Sequence, residues 1–173
     1  SFDANKLNIQ NYLNPLVSYA YEPGSTMKIF SFMTAIDSDL YNSEETYMSG
    51  TIKVSDATIK DFNNVGWGRI TFDEGFNYSS NVAATILSQR LGKEKLADSY
   101  AKFGFGQKTG ITLPDEVSGS INFNYATEIA TAAFGQGITT TPIQNIEALT
   151  TLANDGVMLK PYIISKIVDS NTK

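Results

Sequence analysis

The chain contains neither cysteine nor histidine. The first absence removes disulfides, thiolate metal sites and cysteine nucleophiles together. It leaves the compartment open, since a cysteine-free chain works in oxidising and reducing surroundings alike. The second removes the side chain that most often moves protons near neutral pH. A Ser-His-Asp triad cannot be built within these 173 residues, so acid–base work falls to Lys, Asp, Glu or Tyr. Long apolar runs are missing too. None approaches the roughly 18 residues of a membrane span, and no signal peptide opens the sequence. The first residues are Ser1-Phe2-Asp3 with no methionine, which predicts a processed product or an excised segment. Basic residues are in deficit, 13 Lys and Arg against 18 Asp and Glu, for a net charge of −5. That balance argues against a nucleic-acid partner.

Hydrophobic residues make up 42% and charged residues 18%, which suits a folded globular chain and a single domain. Glu22-Pro23-Gly24 is a turn signal. The spacing of Met27, Ile29, Phe30, Met33 and Ile36 then predicts a helix from Ser25 to Asp37. Upstream, Tyr12, Leu13, Leu16, Val17, Tyr19 and Tyr21 are expected packing anchors. Residues 38–50 read as loop. Ile52, Val54, Ala57 and Ile59 predict a hairpin or extended pair over 51–60, and Asn63 to Gly68 a turn. Thr71 and Glu74 have capping-box spacing before a short helix that breaks near Tyr78 to Asn81. Two helices should follow, Val82 to Leu91 and Lys93 to about Phe103, separated at Gly92. Residues 107–124 read as loop with one short strand at Gly110 to Leu113. A helix over 125–134 ends at Gly135-Gln136-Gly137. Thr141-Pro142 opens another that stops at Asn154-Asp155-Gly156. Tyr162 to Val168 is the last expected strand.

The chemistry concentrates at Ser25-Thr26-Met27-Lys28. Positions i and i+3 share a helix face, so Lys28 can reach the Ser25 hydroxyl. A serine is a poor nucleophile without a base, and an amine can serve when burial or a neighbouring cation lowers its pKa. The helix N-terminus offers N–H groups and the positive dipole end to a developing oxyanion. A plainer reading stands beside this one: Ser25 as an ordinary N-cap and Lys28 as a solvated first-turn lysine. Taken alone, Ser79-Ser80-Asn81 is a turn, Gly135-Gln136-Gly137 a loop breaker, and Glu44-Glu45 a solvated pair.

Taken in order, these stretches resemble the penicillin-binding protein transpeptidase domain of the monofunctional, class B type. Ser25-Thr26-Met27-Lys28 matches S-x-x-K, and Ser79-Ser80-Asn81 matches S-x-N. Phe134 to Gly137, Thr141 to Gln144 and Ala153 to Gly156 resemble the helical segments after S-x-N. Ser1 to Asn5 resembles the stretch leaving the second sheet strand. Lys108-Thr109-Gly110 spells the third motif, K-T-G, but it precedes the segment ending at Gly156 and is followed by Ile111. It is therefore read as a loop, and the true third motif as lying outside the chain.

The resemblance implies a mainly α chain: the helical part of the α/β penicillin-binding, β-lactamase-like fold. Residues 1–173 would form one partial domain, with most central-sheet strands outside it. One oxyanion-hole N–H, just past the third motif, would be missing too. The resemblance makes Ser25 the nucleophile that attacks a D-Ala-D-Ala peptide carbonyl, and Lys28 its base. Ser79 would relay a proton to the leaving amine, and Asn81 would hold Lys28 and a substrate amide. Phe62 and Gln136 would line the cleft. The implied partners are peptidoglycan stem peptides, β-lactams, and the missing sheet strands or a second copy covering the exposed helices. No metal or organic cofactor is required. The implied location is the extracytoplasmic face of the bacterial cell membrane, through an anchor outside the chain. A β-lactam sensor or catalytically dead relative is the alternative. A class A β-lactamase is disfavoured, because no Glu-x-x-x-Asn loop follows Asn81 at suitable spacing.

Overall fold

The computed structural model describes residue 5 and residues 12–168. Only Asn5 of the Ser1–Asn5 match falls among the described residues. A short helix, α1 (Pro15–Ser18), leads to a 3-10 turn at Gly24–Thr26 and then α2 (Met27–Asp37). Four short strands follow: β1 (Thr46–Met48), β2 (Thr51–Val54), β3 (Ala57–Lys60) and β4 (Arg69–Thr71). The remainder is helical: α3 (Phe72–Asn77), α4 (Asn81–Lys102), α5 (Ala126–Ala132) and α6 (Pro142–Ala153). The described chain is mainly α, as the resemblance implied.

The core forms where α2 lies against α4. Met27, Phe30, Ser31, Thr34 and Ala35 recur at helical spacing and are all buried. Opposite them α4 contributes Val82, Ala83, Leu87, Leu91, Leu96 and Tyr100. The Phe30 ring meets those of Phe103 and Phe105 at 5.0 and 4.9 Å, and Tyr100 extends the cluster to Phe123 at 6.1 Å. Phe30 and Phe105, which are buried, each remove enough apolar surface from water to contribute roughly 1.5–3 kcal/mol. One polar network crosses this core. Ser31 Oγ donates to the Ala133 carbonyl at 2.8 Å and lies 2.8 Å from the Tyr100 hydroxyl, which itself reaches the Ala132 carbonyl at 3.1 Å. It ties α2, α4 and the end of α5 together.

The helix ends follow their sequence signals. Thr71 and Glu74 form a reciprocal capping box, as do Thr141 and Gln144, with Pro142 at the first helical position. Gly92 sits at φ 75° and ψ 171°, so α4 is two helices meeting at a kink, where the break was expected. β2 and β3 form the expected antiparallel hairpin, Thr51 opposite Lys60 and Val54 opposite Ala57.

Five expectations are corrected. Residues 38–50 are not all loop, because Thr46–Met48 pairs antiparallel with Arg69–Thr71, a contact between segments over twenty residues apart. The helix opens at Met27 rather than Ser25, which belongs to the preceding 3-10 turn. Gly110 to Leu113 is not a strand, since the loop folds onto Glu116 instead. Tyr162 to Val168 is not a strand either: it finds no ladder partner among the described residues, and Ile167 is 90% exposed. Of the six upstream anchors Val17 is buried and Tyr21 partly so, while Tyr12, Leu13, Leu16 and Tyr19 are exposed. No helix among the described residues is long and apolar enough to cross a membrane.

Candidate active site

The chain reverses at Pro23-Gly24 and enters α2 through the 3-10 turn, which leaves Ser25 exposed while Lys28 is buried one turn later. A backbone contact fixes that turn from behind. Gly24 N–H donates to the Gly135 carbonyl at 3.0 Å, and Gly137 N–H donates to Glu22 Oε1 at 2.7 Å. Gly135 sits at φ 78°, and any Cβ there would overlap the Gly24 backbone. The stretch that reads in sequence as a helix breaker is thus the seat of the Ser25 turn. Gln136 is exposed beside it.

Lys28 is 3% exposed and its amine gathers three oxygens. Nζ donates to Ser25 Oγ at 3.1 Å, to Ser79 Oγ at 2.9 Å and to the Ser79 carbonyl at 2.5 Å. Burial lowers the Lys28 pKa from 10.5 to about 8, and the nearby Asp61 charge partly opposes that fall. A group so placed can give and take a proton near neutrality, which an exposed lysine cannot. Ser25 makes no capping bond; its hydroxyl accepts from Lys28.

Ser79 reaches Lys28 because it takes the left-handed conformation, φ 57°, between α3 and α4. Ser80 then caps α4, its Oγ accepting from Ala83 N–H at 3.0 Å. Asn81 opens the helix, and its Nδ2 donates to the Lys60 carbonyl at 2.8 Å. The structure thus brings Ser25, Lys28 and Ser79 together. It engages the Asn81 amide with the hairpin, whereas the resemblance had implied a contact with Lys28. Phe62 is 69% exposed and joins the same rim: its ring meets Trp67 at 5.6 Å, and Trp67 stacks on Tyr78 at 5.0 Å, next to Ser79.

Sequence reading missed Asp61, Trp67 and Gly135 as parts of this site. The Gly135 and Gly137 pair is a visible signal: it does end α5, as expected, and its contact with Gly24 is the part that local reading does not reveal. Nothing in the sequence marked Asp61, whose three partners are distant or lie across a turn. Lys108-Thr109-Gly110 lies in a loop, as expected: Thr109 N–H and Oγ1 donate to Glu116 Oε1 at 2.8 and 2.6 Å, and Gly110 N–H to Oε2 at 3.1 Å. Among the described residues no group of three or more carboxylates is placed to hold a metal ion.

A buried amine bridging an exposed serine and a second serine can take up a hydroxyl proton and so activate the exposed serine as a nucleophile. The family comparison agrees in class: the profile described as penicillin binding protein transpeptidase domain matches residues 1–173, and the chain belongs to that family. Among curated relatives it is similar to stage V sporulation protein D of Bacillus subtilis, 39% identical over 88% of this chain and 24% of that protein. It is also similar to peptidoglycan D,D-transpeptidase FtsI of Escherichia coli, 28% identical over 89% of this chain and 26% of that protein. Among solved structures, penicillin binding protein 3 of Mycobacterium tuberculosis in complex with ampicillin matches with TM-score 0.80 at 36% identity, over 87% of this chain and 34% of that one. The chain therefore spans about a quarter of the length of these curated relatives.

Proposed function

We propose that this chain carries the nucleophile half of a peptidoglycan D,D-transpeptidase site that forms a serine acyl-enzyme and is acylated by β-lactams. The observation that carries the reading is Lys28 Nζ at 3.1 Å from Ser25 Oγ and 2.9 Å from Ser79 Oγ, with a pKa lowered to about 8. In the neutral form Lys28 accepts the Ser25 proton as Oγ bonds to the carbonyl carbon of a D-Ala-D-Ala stem peptide. The C–N bond then breaks, and the proton passes through Ser79 Oγ to the departing amine. An amine from a second stem peptide attacks the ester, forms the cross-link and returns Ser25 to its hydroxyl form. A β-lactam enters by the same first step, but its leaving nitrogen stays tethered and the adduct persists. Phe62 and Gln136 line the approach to Ser25. Asn81 contributes by holding the Ser79 turn against the hairpin, with its amide edge available to substrate.

The names of two matched proteins support the reading, a peptidoglycan D,D-transpeptidase and a penicillin-binding protein solved with ampicillin. Because peptidoglycan lies outside the cytoplasm, this reading puts the site on the extracytoplasmic face of the cell membrane, with the anchor in another part of the protein. α2, α3 and α6 expose an apolar depression lined by Ile29, Met33, Ile36, Phe76 and Leu152. On this reading, sheet strands from elsewhere in the protein or a second copy cover the exposed helices, and residues 1–173 alone are inactive or impaired. The test is intact mass after incubation with a penicillin, with Ser25→Ala as control. An adduct on the unaltered full-length protein that is absent from the control is expected. A folded protein that takes up no penicillin refutes the assignment. Acylation without transfer to an added acceptor amine would instead identify a sensor.

A further inference from the structure

We propose that Asp61 is a positioning residue of this site, fixing the Ser79–Asn81 turn against the β2–β3 hairpin and placing a negative charge behind Lys28. The inference rests on the acyl-transfer reading above and adds a residue to it.

Asp61 follows directly on β3 and is 1% exposed. Its carboxylate is saturated by neighbours from two directions. Oδ1 accepts from Ser80 Oγ at 2.8 Å and from Val82 N–H at 3.1 Å. Oδ2 accepts from Gly50 N–H at 2.7 Å, while the Asp61 N–H donates to the Gly50 carbonyl at 2.9 Å. Next door the Lys60 carbonyl accepts from Asn81. Residues 60 and 61 thus grip Ser80 and Asn81, the two residues that directly follow Ser79, which sits at φ 57°. That conformation is costly for a serine, and a polar clamp that over-determines its neighbours is what sustains it. The Ser79 carbonyl and hydroxyl are two of the three groups that receive Lys28 Nζ. The clamp therefore sets the position of the base as well as of the relay.

The charge acts separately. Asp61 is the carboxylate whose field reaches Lys28 and raises its pKa against the effect of burial. The other titratable groups turned toward this clamp are Tyr47 of β1 and Glu74 of α3. Tyr47, pushed up to about 12 chiefly by burial, stays neutral through the working range. Glu74 is engaged in the Thr71 capping box. A hydrogen-bond clamp alone could be made by neutral groups. A buried carboxylate is more demanding, and here it keeps a desolvated lysine from losing its proton too readily.

The experiment measures the second-order rate of acylation by benzylpenicillin from about pH 6 to pH 10 in the full-length protein, with thermal melting of every variant. In Asp61→Asn the amide oxygen can keep Ser80 and Val82, the charge is gone, and an NH2 faces Gly50. The expected result is a plateau rate lower by about tenfold or more, because misplaced reacting groups lose rate steeply. The acid limb should also move to lower pH by about one unit, as expected when an opposite charge is removed from an ammonium. Ser80→Ala keeps the charge and should lower the plateau with the limb unmoved. An Asp61→Asn protein with unaltered rate and profile overturns the proposal. So does a rate loss matching its unfolded fraction with no movement of the limb. If Asp61→Asn does not fold, Ser80→Ala decides, and an unchanged plateau there overturns the clamp. Failure of the unaltered protein to acylate refutes the acyl-transfer reading itself, and this role with it.

Discussion

Titrating the acylation rate tests the central pair most directly, because Lys28 can take a proton from Ser25 only when neutral. With a pKa of about 8, its neutral fraction is about 1% at pH 6, about a tenth at pH 7 and about half at pH 8. An unperturbed lysine at 10.5 would be neutral in only about one molecule in three thousand at pH 7. Burial thus enlarges the competent population about 300-fold at that pH, equivalent to roughly 3 kcal/mol off the apparent barrier. The rate should rise about 50-fold from pH 6 to pH 8 and less than about twofold beyond, levelling near pH 9. Stopped-flow quenching with a chromogenic or fluorescent β-lactam over this range gives the curve. Lys28→Arg should remove the limb along with the activity, since a guanidinium does not deprotonate in water. A rate that keeps climbing tenfold per unit to pH 10 refutes the perturbed lysine. A flat profile between pH 6 and 9 refutes lysine as the base. The linkage to stability has a definite sign. The folded pKa lies below the unfolded one, so the unfolded chain binds the extra proton between about 8 and 10.5, and this group's destabilisation is relieved as pH rises through that window.

Three further outcomes follow from the packing. Gly135→Ala should lower both melting temperature and acylation rate, the latter by about tenfold or more, because the new Cβ overlaps the Gly24 backbone and displaces the Ser25 turn; a wild-type rate would mean that the turn does not depend on this seat. Tyr100→Phe should destabilise by about 1–3 kcal/mol in denaturant titration, since it leaves Ser31 and the Ala132 carbonyl short of a buried partner. Glu147→Gln should raise the melting temperature at neutral pH. Burial and the Glu116 charge raise the Glu147 pKa, so the stability present below the ordinary carboxyl value of 4.5 is lost as pH climbs through the raised one. The advantage should vanish below that value, and equal melting points at neutral pH would refute the effect.

Sequence patterning captured what is local. The α2 period, the Thr71–Glu74 and Thr141–Gln144 boxes, the Gly92 break and the 51–60 hairpin all rest on contacts within a few residues, and all appear in the fold. Ser25 and Lys28 were legible for the same reason, being one helical turn apart. The β1–β4 pair escaped notice because three-residue strands carry too little alternation, and only distant pairing makes them strands. Tyr162 to Val168 failed in the opposite sense: the pattern is strand-like, yet a strand exists only with a ladder partner, and none of the described residues supplies one.

What the sequence determined by itself, then, is the chemical inventory and its local placement. Without histidine or cysteine, acid–base work falls to Lys, Asp, Glu or Tyr; Ser25 and Lys28 stand three residues apart, and the ordered motifs resemble the family whose model matches the chain. Tertiary structure decided whether that lysine could act. Fifty-one residues separate Lys28 from Ser79, and only packing of α4 on α2 brings their side chains to 2.9 Å while excluding water from the amine. The pKa, the turn that seats Ser25 on Gly135 and the Asp61 clamp all arise from contacts between segments far apart in the chain, which no pattern within one segment encodes.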